Sequence, residues 1–304
     1  MADRCPQPTG TSAGRCPQPT GTSADRFAMG TLLSLAGAVA TSPFKRPDAS
    51  ATLPKTRLTR ETTVPKDRLT RYEELCGFTR GAGLPLPYPH LLGFPLAMRI
   101  MSRRDFPLPL LGLVHTWITI ERHAPLTVDD RLEIAVHAES LAPHRRGAEV
   151  TMATEARVAG ELVWESRSGY LARHARGKAA QGTDRRPSEG PGGYTALAEW
   201  RLPADLGRRY AAVSGDRNPI HLHPLTARAF GFPRAIAHGM WTFARCVAEV
   251  ERDGGEVDNV RADFRAPVLL PAAVTYAADG AGRFRLRGAA DRVYLTGETS
   301  ARSA

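Results

Sequence analysis

The densest set of reactive side chains in this 304-residue chain is the run Ser214-Gly215-Asp216-Arg217-Asn218-Pro219-Ile220-His221. Gly215 and Pro219 bracket a stretch too irregular for regular helix or strand, so a carboxylate and an imidazole five positions apart can be folded toward one point. Such a pair can hold a water molecule between them, one group taking its proton while the other delivers one. The Asn218 amide can fix the turn or the water. Other readings stay open on these residues alone. Asp216 and Asn218 are common turn formers, and His221 can be a satisfied, partly buried histidine. His221, His223, His238 and Asp216 are also suitable metal ligands, His221 and His223 sharing a face if they lie on a strand. Cys246 as a nucleophile beside His221 is disfavoured because it falls in an apolar helical stripe.

These side chains need elements to hold them. Residues 240–251 (MWTFARCVAEVE) place Trp241, Ala244, Val247, Ala248 and Val250 near helical spacing, with Arg245 and Glu249 on the other side, which predicts a helix with one buried face. It is entered through His238-Gly239. Glycine permits close backbone approach there, and the first N–H groups of a helix lack intrahelical partners, so this tip suits a developing negative charge.

The chain also repeats itself distantly. Residues 71–77 (RYEELCG) parallel 209–215 (RYAAVSG), and 124–128 (APLTV) parallel 266–270 (APVLL), in the same order. Both halves end in strand patterns, such as 149–154 and 283–287, separated by glycine-containing turns. The order of a strand, a helical stretch and several antiparallel strands predicts an α+β unit used twice. At roughly 150 residues per domain the length also gives two. The first unit covers 57–175 and the second 194–304, and residues 176–193 (RGKAAQGTDRRPSEGPGG) read as a linker rich in Gly, Pro and charge.

Residues 210–227 (YAAVSGDRNPIHLHPLTA), followed by 233–240 (PRAIAHGM) and 264–271 (FRAPVLLP), resemble the signature of the MaoC-like (R)-specific enoyl-thioester hydratases. The Ser-Gly-Asp-x-Asn-Pro-x-His core is unbroken, and the His-Gly-Met and Phe-x-x-Pro-Val elements follow in the family's order. The resemblance covers the whole second unit and, more loosely, the first. It implies a double hotdog, two antiparallel sheets each wrapped around a central helix and set side by side. It further implies that Asp216 and His221 form a catalytic dyad oriented by Asn218, and that the Gly239 N–H is an oxyanion donor with His238 and Met240 beside the substrate. The activity so implied is reversible hydration of trans-2-enoyl thioesters to (R)-3-hydroxyacyl thioesters, without metal or redox cofactor. Coenzyme A or acyl carrier protein would carry the acyl group, and Arg217, Arg228 and Arg234 are candidates for its phosphates. A hotdog acyl-thioesterase and a non-catalytic acyl-thioester binding module are the alternatives.

Two departures qualify the match. Phe78 stands where the second unit has Asp216, with no Asn-Pro-x-His after it, so the first unit is expected to be catalytically silent. Its residues 84–89 (LPLPYP) and 92–95 (LGFP) are expected to give apolar surface to an acyl tunnel. Val247 stands near where some relatives carry a serine that steadies the carboxylate, so another donor is expected to hold Asp216.

Composition excludes some classes outright. With 42% hydrophobic and 24% charged residues, the chain is neither wholly disordered, fibrous nor membrane-embedded. The 41 basic against 31 acidic residues leave a charge of +10, but the arginines occur as isolated pairs without the basic run of a nucleic-acid binder, and a phosphate-bearing carrier fits such diffuse charge. Cys5, Cys16, Cys76 and Cys246 show no CxxC spacing, so a reducing, cytoplasmic setting is expected. Residues 1–56 form a leader in which RCPQPTGTSA at 4–13 recurs at 15–24, a composition that predicts disorder, with Met29 a candidate natural start. Residues 27–40 have the features of a signal-peptide core but are too short to span a bilayer, and the long segment before them weighs against export. Two hotdogs in one chain can pair internally, which leaves monomer and homodimer both open.

Overall fold

Among the described residues ten strands form one antiparallel sheet: β1 (Arg57–Thr62), β2 (Val114–Arg122), β3 (Leu132–His144), β4 (Gly147–Val158), β5 (Glu161–Arg173), β6 (Thr195–Leu202), β7 (Asn259–Phe264), β8 (Ala272–Ala278), β9 (Arg283–Arg287) and β10 (Val293–Ser300). Their order across the sheet is β1-β3-β4-β5-β2-β7-β10-β9-β8-β6. The computed structural model describes residues 45, 48–81, 83–110, 112–173, 193–254 and 257–300. The duplicated segment at 4–24, the apolar run at 27–40 and residues 176–192 of the linker lie outside the described residues.

The strand order is the repeat made visible. From the outer edge inward, the first half runs β1-β3-β4-β5-β2 and the second β6-β8-β9-β10-β7, the same topology, joined at the β2–β7 seam. The offset that superposes Ala124-Pro125 on Ala266-Pro267 carries Thr119 onto Arg261, and these two residues are paired across the seam, as an internal two-fold axis requires.

The helices follow the same pairing. In the first half α1 (Lys66–Cys76) precedes α2 (Tyr88–Met101); in the second, α3 (Leu206–Ser214), α4 (Pro219–Leu222) and α5 (Pro224–Ala229) precede α6 (Gly239–Arg252). The helices α2 and α6 are the central ones, each held against its own sheet, which is the hotdog arrangement. Close approach at α2 depends on Gly93, where a Cβ would stand 2.6 Å from the Thr154 methyl. Both are buried on nearly every side, so neither can be stable away from its sheet.

Two expectations need correction. The proline-rich stretch of the first unit does not offer apolar surface. Leu84, Leu86, Tyr88, Leu91 and Leu92 are buried in the core, and from Tyr88 onward the segment is the central helix itself. Pro89 falls in its first turn, where a missing N–H costs nothing. In α6, Arg245 and Glu249 do not face away into solvent: Glu249 is buried and pairs with Arg245 at 2.7 Å.

Candidate active site

Helix α3 delivers the reactive loop. It ends at Gly215, whose φ of +81° is the left-handed conformation that closes a helix, with its N–H returned to the Ala211 carbonyl at 3.0 Å. The Asp216 N–H then donates to Ser214 Oγ at 3.1 Å, and the Asn218 N–H donates to Asp216 Oδ1 at 3.1 Å. Asn218 caps α4 in turn, its Oδ1 accepting from the Ile220 N–H. The segment is thus less irregular than its sequence predicts, because Pro219 opens a single helical turn that carries His221. That turn lies directly on α3: a Cβ on Gly207 would stand 1.9 Å from the His221 backbone oxygen.

Three polar side chains converge here. The His221 and His238 rings stack with centroids 3.7 Å apart. His221 Nδ1 donates to the Ile236 carbonyl at 2.9 Å, which leaves Nε2 unprotonated and able to accept. His238 Nε2 donates to the backbone carbonyl of Asp216 at 3.0 Å and lies 3.8 Å from Asp216 Oδ2. One oxygen of Asp216 and one nitrogen of each histidine lie within 4.8 Å of one another. His238 is also the N-cap of α6; its carbonyl accepts the Trp241 and Thr242 N–H groups at 3.1 and 3.2 Å, and its side chain makes no cap bond to the first turn. The Phe264 ring covers the other side of Gly239, 3.1 Å from where its Cβ would be.

Comparison with known proteins shows the family of the chain. Residues 195–291 match the family model described as the MaoC like domain. A relative from Mycobacterium tuberculosis, 3-hydroxyacyl-thioester dehydratase X, is 37% identical over 217 residues, which is 71% of this chain and 77% of the relative. The chain belongs to the MaoC-like dehydratase family. The crystal structure of HtdX from Mycobacterium tuberculosis superposes with a TM-score of 0.69 at 33% identity, over 80% of this chain and 99% of that one. A Mycobacterium tuberculosis protein described as a double hotdog shares the fold, at 12% identity and a TM-score of 0.52 over 80% of this chain and 94% of that one.

Within this MaoC-like protein the remaining sequence candidates divide. Met240 is half-buried in the first turn of α6, beside Gly239. Arg217 is exposed on the reactive loop. Arg228 and Arg234 are exposed as well, bonded to the carbonyls of Pro233 and Pro271 at 3.2 and 3.4 Å. His223 points away from the cluster. It is exposed, and its Nδ1 caps α5 by accepting the Leu225 N–H, so it does not share a face with His221 and does not complete a four-residue metal set. His238 spends Nε2 as a donor, which leaves its buried Nδ1 as the nitrogen without a hydrogen-bond partner. Cys246 is fully buried in α6, and burial pushes its thiol well above the ordinary range, which makes it an inert core residue. Val247 offers the carboxylate no donor; the Asn218 N–H is the group that touches it. In the first unit Phe78 is buried and stacks on Tyr72, ring centroids 5.8 Å apart, so the position equivalent to Asp216 is part of the core. Tyr210, whose ring lies 4.9 Å from that of His238, went unassigned from sequence, although Tyr72 repeats it in the first unit.

The histidines set a pH dependence. Burial holds His221 below its ordinary value, partly offset by the Asp216 carboxylate, and holds His238 well below it, with the His221 ring adding to the effect. Burial alone lowers His90 to about 4 and is the main cause that lowers His115 to about 3. Below the unfolded-state value of about 6.5, the unfolded chain takes up protons that the native chain refuses, so stability is lost on acidification and is flat above about pH 7. One carboxylate works the other way: burial raises Glu251 to about 7, so its protonation in the folded state opposes the loss, but as one group against four histidines. Melting temperatures should therefore fall steadily from about pH 6.5 to 5. A flat melting temperature across that interval would contradict neutral burial of these rings.

Proposed function

We propose that this protein catalyses the reversible hydration of trans-2-enoyl thioesters to 3-hydroxyacyl thioesters. The observation that carries the reading is the approach of the Asp216 carboxylate to the His221 ring, within 4.8 Å, beside the N-cap of α6. Hydration needs a polarised carbonyl, an activated water at the β-carbon and a proton for the α-carbon. In this reading the Gly239 N–H, aided by the helix dipole, receives the enolate-like oxygen, a donor whose loss typically costs about 2.7 to 4 kcal/mol of barrier. Asp216 and His221 hold the water, remove its proton and return one from the same side of the double bond. Asn218 orients Asp216, while His238 and Met240 flank the thioester. Dehydration uses the same groups in reverse.

The reaction is redox-neutral, and the acid, base and oxyanion donor are all supplied by the chain, so the proposal includes no metal or redox cofactor. It takes the carrier to be coenzyme A or acyl carrier protein, with Arg217, Arg228 and Arg234 meeting its phosphates, and the product to be the (R)-alcohol. The +10 charge favours such an anionic partner without a basic stripe for nucleic acid. The β2–β7 seam already pairs two hotdogs, so a homodimer is not needed to form one sheet. No described helix is long and apolar enough to cross a membrane.

The test is an absorbance assay of enoyl-CoA hydration over a series of acyl lengths, run beside a thiol reagent, with chiral analysis of the product. Loss of the conjugated absorbance without thiol release, giving the (R)-alcohol, is the expected result. Thiol release would assign a thioesterase, and acyl-CoA binding without turnover a binding module.

A further inference from the structure

Arg68 lies on α1, in the unit that carries no Asp–His pair, yet its guanidinium reaches into the other unit. Its Nη2 donates to the Ser214 carbonyl at 2.8 Å, and its Nε donates to the Val213 carbonyl. These are the last carbonyls of α3, which the helix leaves without partners, and a cation there also meets the negative end of the helix dipole. The next residue is the left-handed Gly215, whose Cβ would stand 3.7 Å from Nη2, and the one after it is Asp216. Among the described residues no carboxylate forms an ion pair with Arg68, and its Nε and Nη2 are both given to this helix end.

The contact is not a by-product of the repeat. The offset that superposes Arg71-Tyr72 on Arg209-Tyr210 places Leu206 where the first unit has Arg68. The end of α1 is met across the units by other groups: Trp241 Nε1 donates to the Leu75 carbonyl at 3.0 Å, and the Arg245 guanidinium lies against Gly77. The units cap each other crosswise, but only the helix end held by Arg68 leads into Asp216. The other leads into Phe78.

We infer that Arg68 is a positioning residue: the silent hotdog holds the end of α3 through it, so that the Asp216 carboxylate meets His221, and the second hotdog is incomplete without the first. This rests on the dyad reaction proposed above. The geometry calls for arginine rather than lysine, because two neighbouring carbonyls are met by the fork of one guanidinium, which an ammonium cannot reproduce.

The variants are Arg68→Met, which keeps the stem and loses every donor, and Arg68→Lys, which keeps the charge. In Arg68→Met, kcat for enoyl-CoA hydration should fall by about tenfold or more, as for a displaced reacting group, with KM held within about threefold. Arg68→Lys should fall between this variant and the parent, and added guanidinium ion should restore part of the Arg68→Met rate. A second readout does not use turnover. The His238 Nε2–H resonance reports its bond to the Asp216 carbonyl and should shift in both variants, while that of His90, bonded to Ser166 in the first unit, should not. Unchanged kcat together with an unshifted His238 resonance in either folded variant would overturn the inference. So would equal shifts at both histidines, or a loss of rate that guanidinium leaves untouched and KM shares. If the parent protein fails to hydrate enoyl-CoA, the reaction reading falls, while the histidine resonances still decide whether Arg68 holds the loop.

Discussion

Asp216→Asn leaves the fold intact and lowers enoyl-thioester turnover by about a hundred- to ten-thousand-fold, the range that a positioned acid–base group supplies. The substitution is close to isosteric. Its Oδ1 still accepts the Asn218 N–H that now holds the carboxylate at 3.1 Å, so the loop keeps its shape. What is lost is the second oxygen, which becomes an amide that can neither take a proton from water nor return one to carbon. The loss belongs in kcat, because substrate binding does not call on the dyad. His221→Ala removes the partner base and should cost a similar factor, and the double variant should be little worse than either single one, since groups that act as a unit are not additive. Burial holds His221 below its ordinary value, so the acid limb of kcat/KM should lie below about pH 6.5 in the parent and vanish in His221→Ala. Purified single variants that hydrate crotonyl-CoA as fast as the parent would remove the dyad assignment.

The second large effect is expected at a residue with no functional group. Gly207→Ala adds one methyl to the first turn of α3, where a Cβ would stand 1.9 Å from the His221 carbonyl oxygen and 2.9 Å from its carbon. Both neighbours are backbone, so no side chain can swing aside; α3 and the α4 turn must part instead. Overpacking of this kind costs about 1–3 kcal/mol. The opposing effect, the better helix propensity of alanine, is worth about 1 kcal/mol or less, so the net change should be destabilising. The catalytic cost is larger, because a displacement of about 1 Å at a reacting group can cost a hundredfold. Thermal melting and kcat measured on the same preparation check both parts. A variant that melts higher than the parent and turns over normally would show that α3 does not press on the His221 backbone.

The reactive loop and the repeat were legible in the sequence for physical reasons. Glycine and proline at fixed places mark turns whatever surrounds them, so spacing allowed Asp216 and His221 to meet and put the α6 entry at Gly239, while the family resemblance chose the pair over the turn and metal readings. The parallels at Arg71-Tyr72 and Ala124-Pro125 predicted a doubled unit, and the strand order repeats accordingly. What could not be read depends on partners distant in the chain. Arg68 looks like any helix-surface cation until α3 is beside it, and Gly207 like any glycine until α4 folds over it. The central helix of the first unit was hidden by its prolines, whose local meaning is a turn, although Pro89 in the first turn is harmless and Pro95 is carried inside the helix. Helical spacing alone puts Glu249 on the side away from the core; Arg245 beside it makes its burial tolerable.

The seam at β2–β7, with Thr119 opposite its own counterpart Arg261, has a consequence for how such a molecule can change. Two identical subunits must carry every substitution twice, so neither can surrender its reactive aspartate without both losing it. Once the halves share one polypeptide, that constraint is gone. One half is free to fill the aspartate's position with a phenylalanine and to lend an arginine to its neighbour's service, and the division of labour is inherited as a single gene product.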